Sequence, residues 1–194
     1  MPAYPEQDHP AWLVEAHELP HPGTPVLDEP LWIENYLDFV NSPGSDVGIY
    51  QHLRHVPRPD GAPGLWDEIF YVSLPDDLFL ASRAFSAGRI EVIDARKGIG
   101  SISVAGLTYR CEEPFTRWTR RFYGGARLVS GDQLRRGPLE DGRHIPVEMD
   151  LTYDFLSPPF DFPGGDDLDQ AWGKAHYEQH LHATGTLKYG DTTL

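Results

Sequence analysis

The sequence predicts an all-β fold, an antiparallel sandwich or barrel with little helix, and three observations predict it. The 194 residues include 19 glycines and 18 prolines, a content that favours many turns and short strands over long helices. Period-two stretches recur along the chain and are closed at short intervals by turn-forming residues, the pattern of sandwiches and barrels. The clearest is Val147 to Phe155. There Val147, Met149, Leu151, Tyr153 and Phe155 point one way, and Glu148, Asp150, Thr152 and Asp154 the other, as in a strand with one dry and one wet face.

Taken in order, residues 1–30 carry Pro2, Pro5, Pro10, Pro20, Pro22, Pro25 and Pro30. Prolines at that density stop helix interiors and central strands alike, so an arm over the domain is expected, with one helical turn near Ala11 to Ala16. Residues 31–194 are expected to form one β domain. Leu31 to Val40, with Trp32, Tyr36 and Phe39, ends at Asn41-Ser42-Pro43-Gly44. Val47 to Val56 is closed by Pro57-Arg58-Pro59-Asp60-Gly61. Leu65 to Leu74 puts Trp66, Phe70 and Val72 on one face, and Pro75-Asp76-Asp77 turns it into Leu78 to Phe85. Ile90 to Ala95 and Ile99 to Val104 flank a Lys97-Gly98 turn, and Thr108 to Cys111 leads to Glu112-Glu113-Pro114. Phe115 to Tyr123 runs into Gly124-Gly125, a hairpin signal that makes Ala126 to Ser130 its partner. Beyond the Pro/Gly/Asp loop Ser157 to Asp167, a short helix or turn over Leu168 to Lys174 precedes a strand from Ala175 to Leu187, with Tyr189-Gly190-Asp191 after it; the rival is a helix over Leu168 to His182.

Thirty acidic against 16 basic side chains give a formal charge of −14. Such a surface repels phosphate backbones and anionic lipid, so nucleic acid and membrane are poor partners. Cys111 is the lone cysteine, so no intrachain disulfide forms, and it reads as a small core residue. The amino terminus lacks the basic flank and apolar run of a signal peptide, and no stretch is long enough to cross a bilayer. A cytoplasmic protein is expected. Phosphate loops, nucleophile elbows, HExxH and paired-cysteine motifs are missing from the sequence.

Two constellations carry candidate chemistry. As a strand, His176-Tyr177-Glu178-Gln179-His180-Leu181-His182 places His176, Glu178, His180 and His182 on one face. In an apolar hollow, Glu178 would have a raised pKa and could protonate an alkene, enol or leaving group, with His176 and His180 tuning it and Tyr177 orienting the ligand. Two other readings stand beside this one: a simply solvated face, and a His/Glu site for a divalent metal. No cofactor and no metal are assigned. In the second constellation Trp118, Arg120 and Phe122 share a strand face, where Arg120 could anchor a ligand oxyanion or stack on a flat ligand. Alternatively the arginine stem simply lies along core aromatics. Tyr50 and His52 are added as ligand-wall candidates. The acidic run Asp161 to Asp169 lacks EF-hand spacing and reads as a solvated loop.

In this order the elements resemble the amino-terminal half of the lipocalin-like carotenoid hydratase superfamily. The matching pieces begin with Trp32-Ile33-Glu34-Asn35-Tyr36-Leu37-Asp38-Phe39, the Val47-to-Pro59 strand and turn, and Glu112-Glu113-Pro114 followed by Arg117-Trp118. Val147 to Tyr153, Ser157-Pro158, and His176-Tyr177-Glu178-Gln179 followed by Gly185-Thr186-Leu187 complete them. The resemblance implies a lipocalin-like β domain for an apolar ligand: a terpenoid, steroid, carotenoid or polyketide-like molecule. It also implies acid-assisted hydration, isomerisation or cyclisation, the work of a lyase or isomerase. Members of that superfamily continue past the region of Gly190 into an Arg-Asp-His-Ser-Trp-Gly segment and a second domain. This sequence ends at Asp191-Thr192-Thr193-Leu194. A second lipocalin-like half or a homo-oligomer is therefore an expected partner, and a non-catalytic carrier or assembly half is the alternative function.

Overall fold

A computed structural model describes residues 15–18, 34–56, 64–137, 139, 141–161 and 176–194. The chain is mostly antiparallel β, in a strongly curled half-barrel sheet consistent with a lipocalin-like fold. Its strands are β1 (Glu34–Asn41), β2 (Gly48–Val56), β3 (Leu65–Leu74), β4 (Leu78–Ser86), β5 (Arg89–Asp94), β6 (Ile99–Val104) and β7 (Leu107–Glu113). After these come β8 (Arg117–Ser130), helix α1 (Gly131–Arg136), β9 (Arg143–Phe155), β10 (Phe160–Asp161), β11 (Tyr177–Glu178), β12 (Leu181–Tyr189) and β13 (Thr192–Thr193). A 3₁₀ turn, Glu15–Glu18, precedes them. Most of the predicted arm lies outside the described residues, and its expected helical turn near Ala11 to Ala16 meets the 3₁₀ turn only at residues 15 and 16; the short helix or turn over Leu168 to Lys174 and most of the acidic loop also lie outside. Among the described residues no helix is long and apolar enough to cross a membrane.

β8 organises the sheet. One of its edges pairs with β9 from Arg117↔Asp154 to Leu128↔Arg143. Its other edge serves two neighbours: residues 117–122 pair with β7, and residues 127–130 with β4. The sheet forks there, so β1-β2-β3-β4 and β5-β6-β7 curl away from a shared spine. β12 extends the far side through β9.

Side-chain alternation decides which residues face the inside. Leu53, Phe70, Leu80, Ile102, Leu107, Tyr109, Phe122, Met149 and Tyr153 are buried in one core. Phe70 and Phe122 stack at 4.1 Å between ring centres, which locks β3 to β8 across that core. Burying a large side chain of this kind contributes about 1.5–3 kcal/mol. The predicted faces of Leu65 to Leu74 and Val147 to Phe155 hold, with Val147, Met149, Leu151 and Tyr153 all buried.

Two expectations are overturned. Gly124-Gly125 is no hairpin turn, because β8 runs straight through it. A Cβ at Gly125 would stand 2.0 Å from His144 Nε2, and one at Gly124 would stand 3.3 Å from Phe122 Cζ. These glycines admit neighbours close to the strand rather than reversing it. The Ala175-to-Leu187 strand is also interrupted. β11 pairs with β10, β12 pairs with β9, and Gln179-His180 lies between them. The change of partner is held by Gln179 Nε2, which donates to the carbonyls of Phe115 and Ser157, both at 2.9 Å.

Candidate functional site

On β8 the inward positions are Trp118, Arg120 and Phe122, and all three are buried, as the alternation predicts. Arg120 is only 4% exposed. Its direct neighbour on β7 is Tyr109, and Trp118 stands opposite Tyr153 on β9. The guanidinium carbon lies 3.8 Å from the ring centre of Tyr109, 4.6 Å from that of Trp118 and 5.0 Å from that of Tyr153. Such packing is worth about 2 kcal/mol when desolvated. Asp38, reaching across from β1, accepts from Arg120 Nε at 2.7 Å and from Nη2 at 3.3 Å. Burial works against the charge on Arg120, but Asp38 holds its pKa above the ordinary arginine value. Gln51, on the inward register beside Asp38, donates to the Tyr153 hydroxyl at 2.6 Å. Its own amide oxygen is buried with no hydrogen-bond partner among the described residues. A fixed, charged, aromatic-walled cluster thus sits inside the curl.

A second acid closes one end of the cluster. Glu18, 1% exposed, enters from the 3₁₀ turn. Its carboxylate accepts from Trp118 Nε1 at 2.7 Å, from the Phe115 backbone N–H at 3.3 Å and, in a short bond, from the Tyr177 hydroxyl. Burial raises its pKa, while the bonds from Tyr177, Trp118 and Phe115 and the charge of Arg120 oppose that rise. Phe115 occupies the left-handed region at φ 57° in the turn between β7 and β8, a conformation costly for a bulky residue. The Phe115 ring meets Tyr177 edge-on at 5.9 Å.

The His/Glu face is placed differently from its prediction. His176, Glu178, His180 and His182 do lie on one side of the chain, but it is the outer side. The Glu178 side chain is 63% exposed and that of His176 40%, and His180 and His182 are exposed too. The expected sheltered hollow for Glu178, His176 and His180 is therefore corrected: the inward register belongs to Tyr177, Gln179 and Leu181, which pack against the sheet. Tyr177 alone of the four catalytic candidates reaches the interior, through Glu18. His176 and Glu178 contact each other at 3.2 Å. Among the described residues no three His, Cys, Asp or Glu side chains gather in a way that could hold a metal ion.

Tyr50 and His52 are likewise corrected. On β2 the inward positions are Ile49, Gln51 and Leu53; Tyr50 and His52 take the opposite face. There the Tyr50 ring lies tilted against Phe39 at 4.9 Å and stacks on Tyr71 at 6.1 Å, and His52 Nε2 pairs with Asn35 Oδ1 at 2.8 Å. Burial lowers the pKa of His52. Sequence reasoning missed Glu18, Asp38, Gln51, Tyr109 and Tyr153. For Asp38 and Gln51 a signal exists: a polar residue on the apolar register of a strand demands a buried partner. Glu18 has no local signal, because its partners lie about a hundred residues or more away.

The model of a family described as a domain of unknown function, DUF7064, matches residues 14–194. No curated protein and no solved structure matches the chain.

Proposed function

This chain belongs to the DUF7064 family, and we propose that it binds a largely apolar small molecule, terpenoid, steroid, carotenoid or polyketide-like, inside the curled sheet. The observation that carries the reading is the inward cluster of Trp118, Arg120, Tyr109, Tyr153 and Gln51. Ligand sites of this kind are mostly apolar and aromatic, with few fixed polar groups that set orientation. The Gln51 amide oxygen is a buried acceptor facing that interior. A reducing, cytoplasmic setting belongs to the same reading, with which a lone cysteine, Cys111, and no intrachain disulfide are consistent.

Kinship with carotenoid hydratases would add acid-assisted hydration, isomerisation or cyclisation. That chemistry needs a proton donor in dry surroundings, and Glu178 stands in water. Glu18 is dry, yet both its oxygens are occupied as acceptors. Binding without chemistry, as a carrier or as one half of a larger assembly, is therefore the reading carried forward.

The test is titration with N-phenyl-1-naphthylamine, a neutral probe that fluoresces in apolar sites. Saturable enhancement that weakens in Phe122→Leu, and survives Glu178→Gln and His176→Ala, is expected. Equal binding by all four proteins, or none by the wild type, contradicts the reading.

A further inference from the structure

Three donors from two separate stretches of chain converge on one carboxylate. The Phe115 N–H comes from the β7–β8 turn, Trp118 Nε1 from β8 and the Tyr177 hydroxyl from β11. Arg120, itself paired with Asp38, also favours the charged form of Glu18. The receptor is built by β8, the turn before it and β11, whereas the carboxylate arrives on a four-residue turn remote in sequence. That turn rests on Gly98, where a Cβ would fall 1.9 Å from the Glu15 carbonyl oxygen. Backbone and side-chain N–H and O–H groups aimed at a single point match the acceptor needs of a buried carboxylate.

We propose that this receptor is a carboxylate-binding site which Glu18 fills in cis, and that the ligand of the domain is an amphiphile whose carboxylate head takes the place of the Glu18 side chain. The inference rests on the apolar-ligand reading and names the head group of that ligand. The apolar body would extend from the head along Trp118 toward the aromatic inner face, and Glu18 would act as an intramolecular competitor.

The experiment has two arms. In the first, the melting temperatures of wild type and Glu18→Ala are followed with added sodium propionate, against sodium chloride at equal ionic strength. Propionate stabilises Glu18→Ala saturably and leaves the wild type unmoved. Adding Trp118→Phe, which keeps bulk and removes one donor, weakens the propionate effect about tenfold, the worth of one hydrogen bond to a charged group. If Glu18→Ala fails to fold, Gly98→Ala displaces the Glu15–Glu18 turn and leaves the three donors in place. In the second arm, octanoate and octanol compete for bound N-phenyl-1-naphthylamine in the same variant. Octanoate wins by about tenfold or more.

A propionate effect no larger than that of chloride overturns the receptor. Equal displacement by octanoate and octanol overturns the head-group assignment and leaves the apolar-ligand reading standing. Propionate rescue without any probe binding overturns the apolar-ligand reading instead, and leaves a carboxylate receptor of another purpose.

Discussion

Asp38 on β1 and Arg120 on β8 form a buried two-bond ion pair across the inside of the curl, at 2.7 Å and 3.3 Å. The pair ties the first strand of the sheet to its spine. Its carboxylate sets a negative charge beside a guanidinium held among three aromatic rings.

Removing one partner strands the other. Asp38→Ala should destabilise the fold by about 3–5 kcal/mol, because Arg120 stays charged and buried. Replacing both, as Asp38→Leu with Arg120→Met, should recover most of that loss. Urea denaturation of the two variants checks it; a double variant no more stable than Asp38→Ala contradicts it.

Glu68 gives a pH signature. It is buried and accepts from Gly106 N at 2.8 Å, Leu107 N at 3.2 Å and Ser82 Oγ at 3.0 Å. Burial raises its pKa against the opposing effect of those bonds. The folded state therefore holds the proton more tightly than the unfolded state does. This group's contribution is complete below the ordinary carboxylate range and is lost as pH rises through its folded pKa. Glu68→Gln keeps the acceptor for both backbone N–H groups and can donate to Ser82. Its stability relative to wild type should climb with pH across that interval, as chemical denaturation at a series of pH values would record.

The glycines of β8 and β12 separate by what they touch. Gly185 sits at φ 148°, and its Cβ would fall 2.0 Å from the Asp150 carbonyl oxygen, which is backbone and cannot yield. Gly185→Ala should cost about 1–3 kcal/mol. The three atoms nearest a Cβ at Gly125 all belong to the exposed ring of His144, so Gly125→Ala should stay within about 0.5 kcal/mol of wild type. Thermal melts of both proteins read the contrast.

The exposed face of Glu178 should be energetically quiet. Its contact with His176 is solvent-screened, so Glu178→Gln should shift stability by less than about 0.5 kcal/mol. A larger loss in denaturant melts would show that the face is covered.

The alternation rule made most of the strands legible in the sequence. Leu65 to Leu74 is placed to the residue, and Trp118, Arg120 and Phe122 are assigned to one face, because period-two burial is a local property. The rule could not say which face is inward where both carry aromatics or polar groups. It failed for β2, where Tyr50 and His52 look more ligand-like than Gln51, and at residues 176–182, where the histidines drew attention from Tyr177. Gly124-Gly125 misled because a glycine pair marks a turn and a close approach equally well. Asp38 lies 82 residues from Arg120, and the partners of Glu18 lie 97 to 159 residues away; only the fold brings them together.

The most direct measurement is the indole N–H resonance of Trp118, assigned by its loss in Trp118→Phe and followed by NMR as N-phenyl-1-naphthylamine is added. A ligand inside the curl shifts that resonance saturably, at the same midpoint as the fluorescence. If the indole signal stays fixed while resonances of the outer Phe39–Tyr50–Tyr71 ladder move, the ligand sits on the wrong side of the sheet and the interior site is refuted.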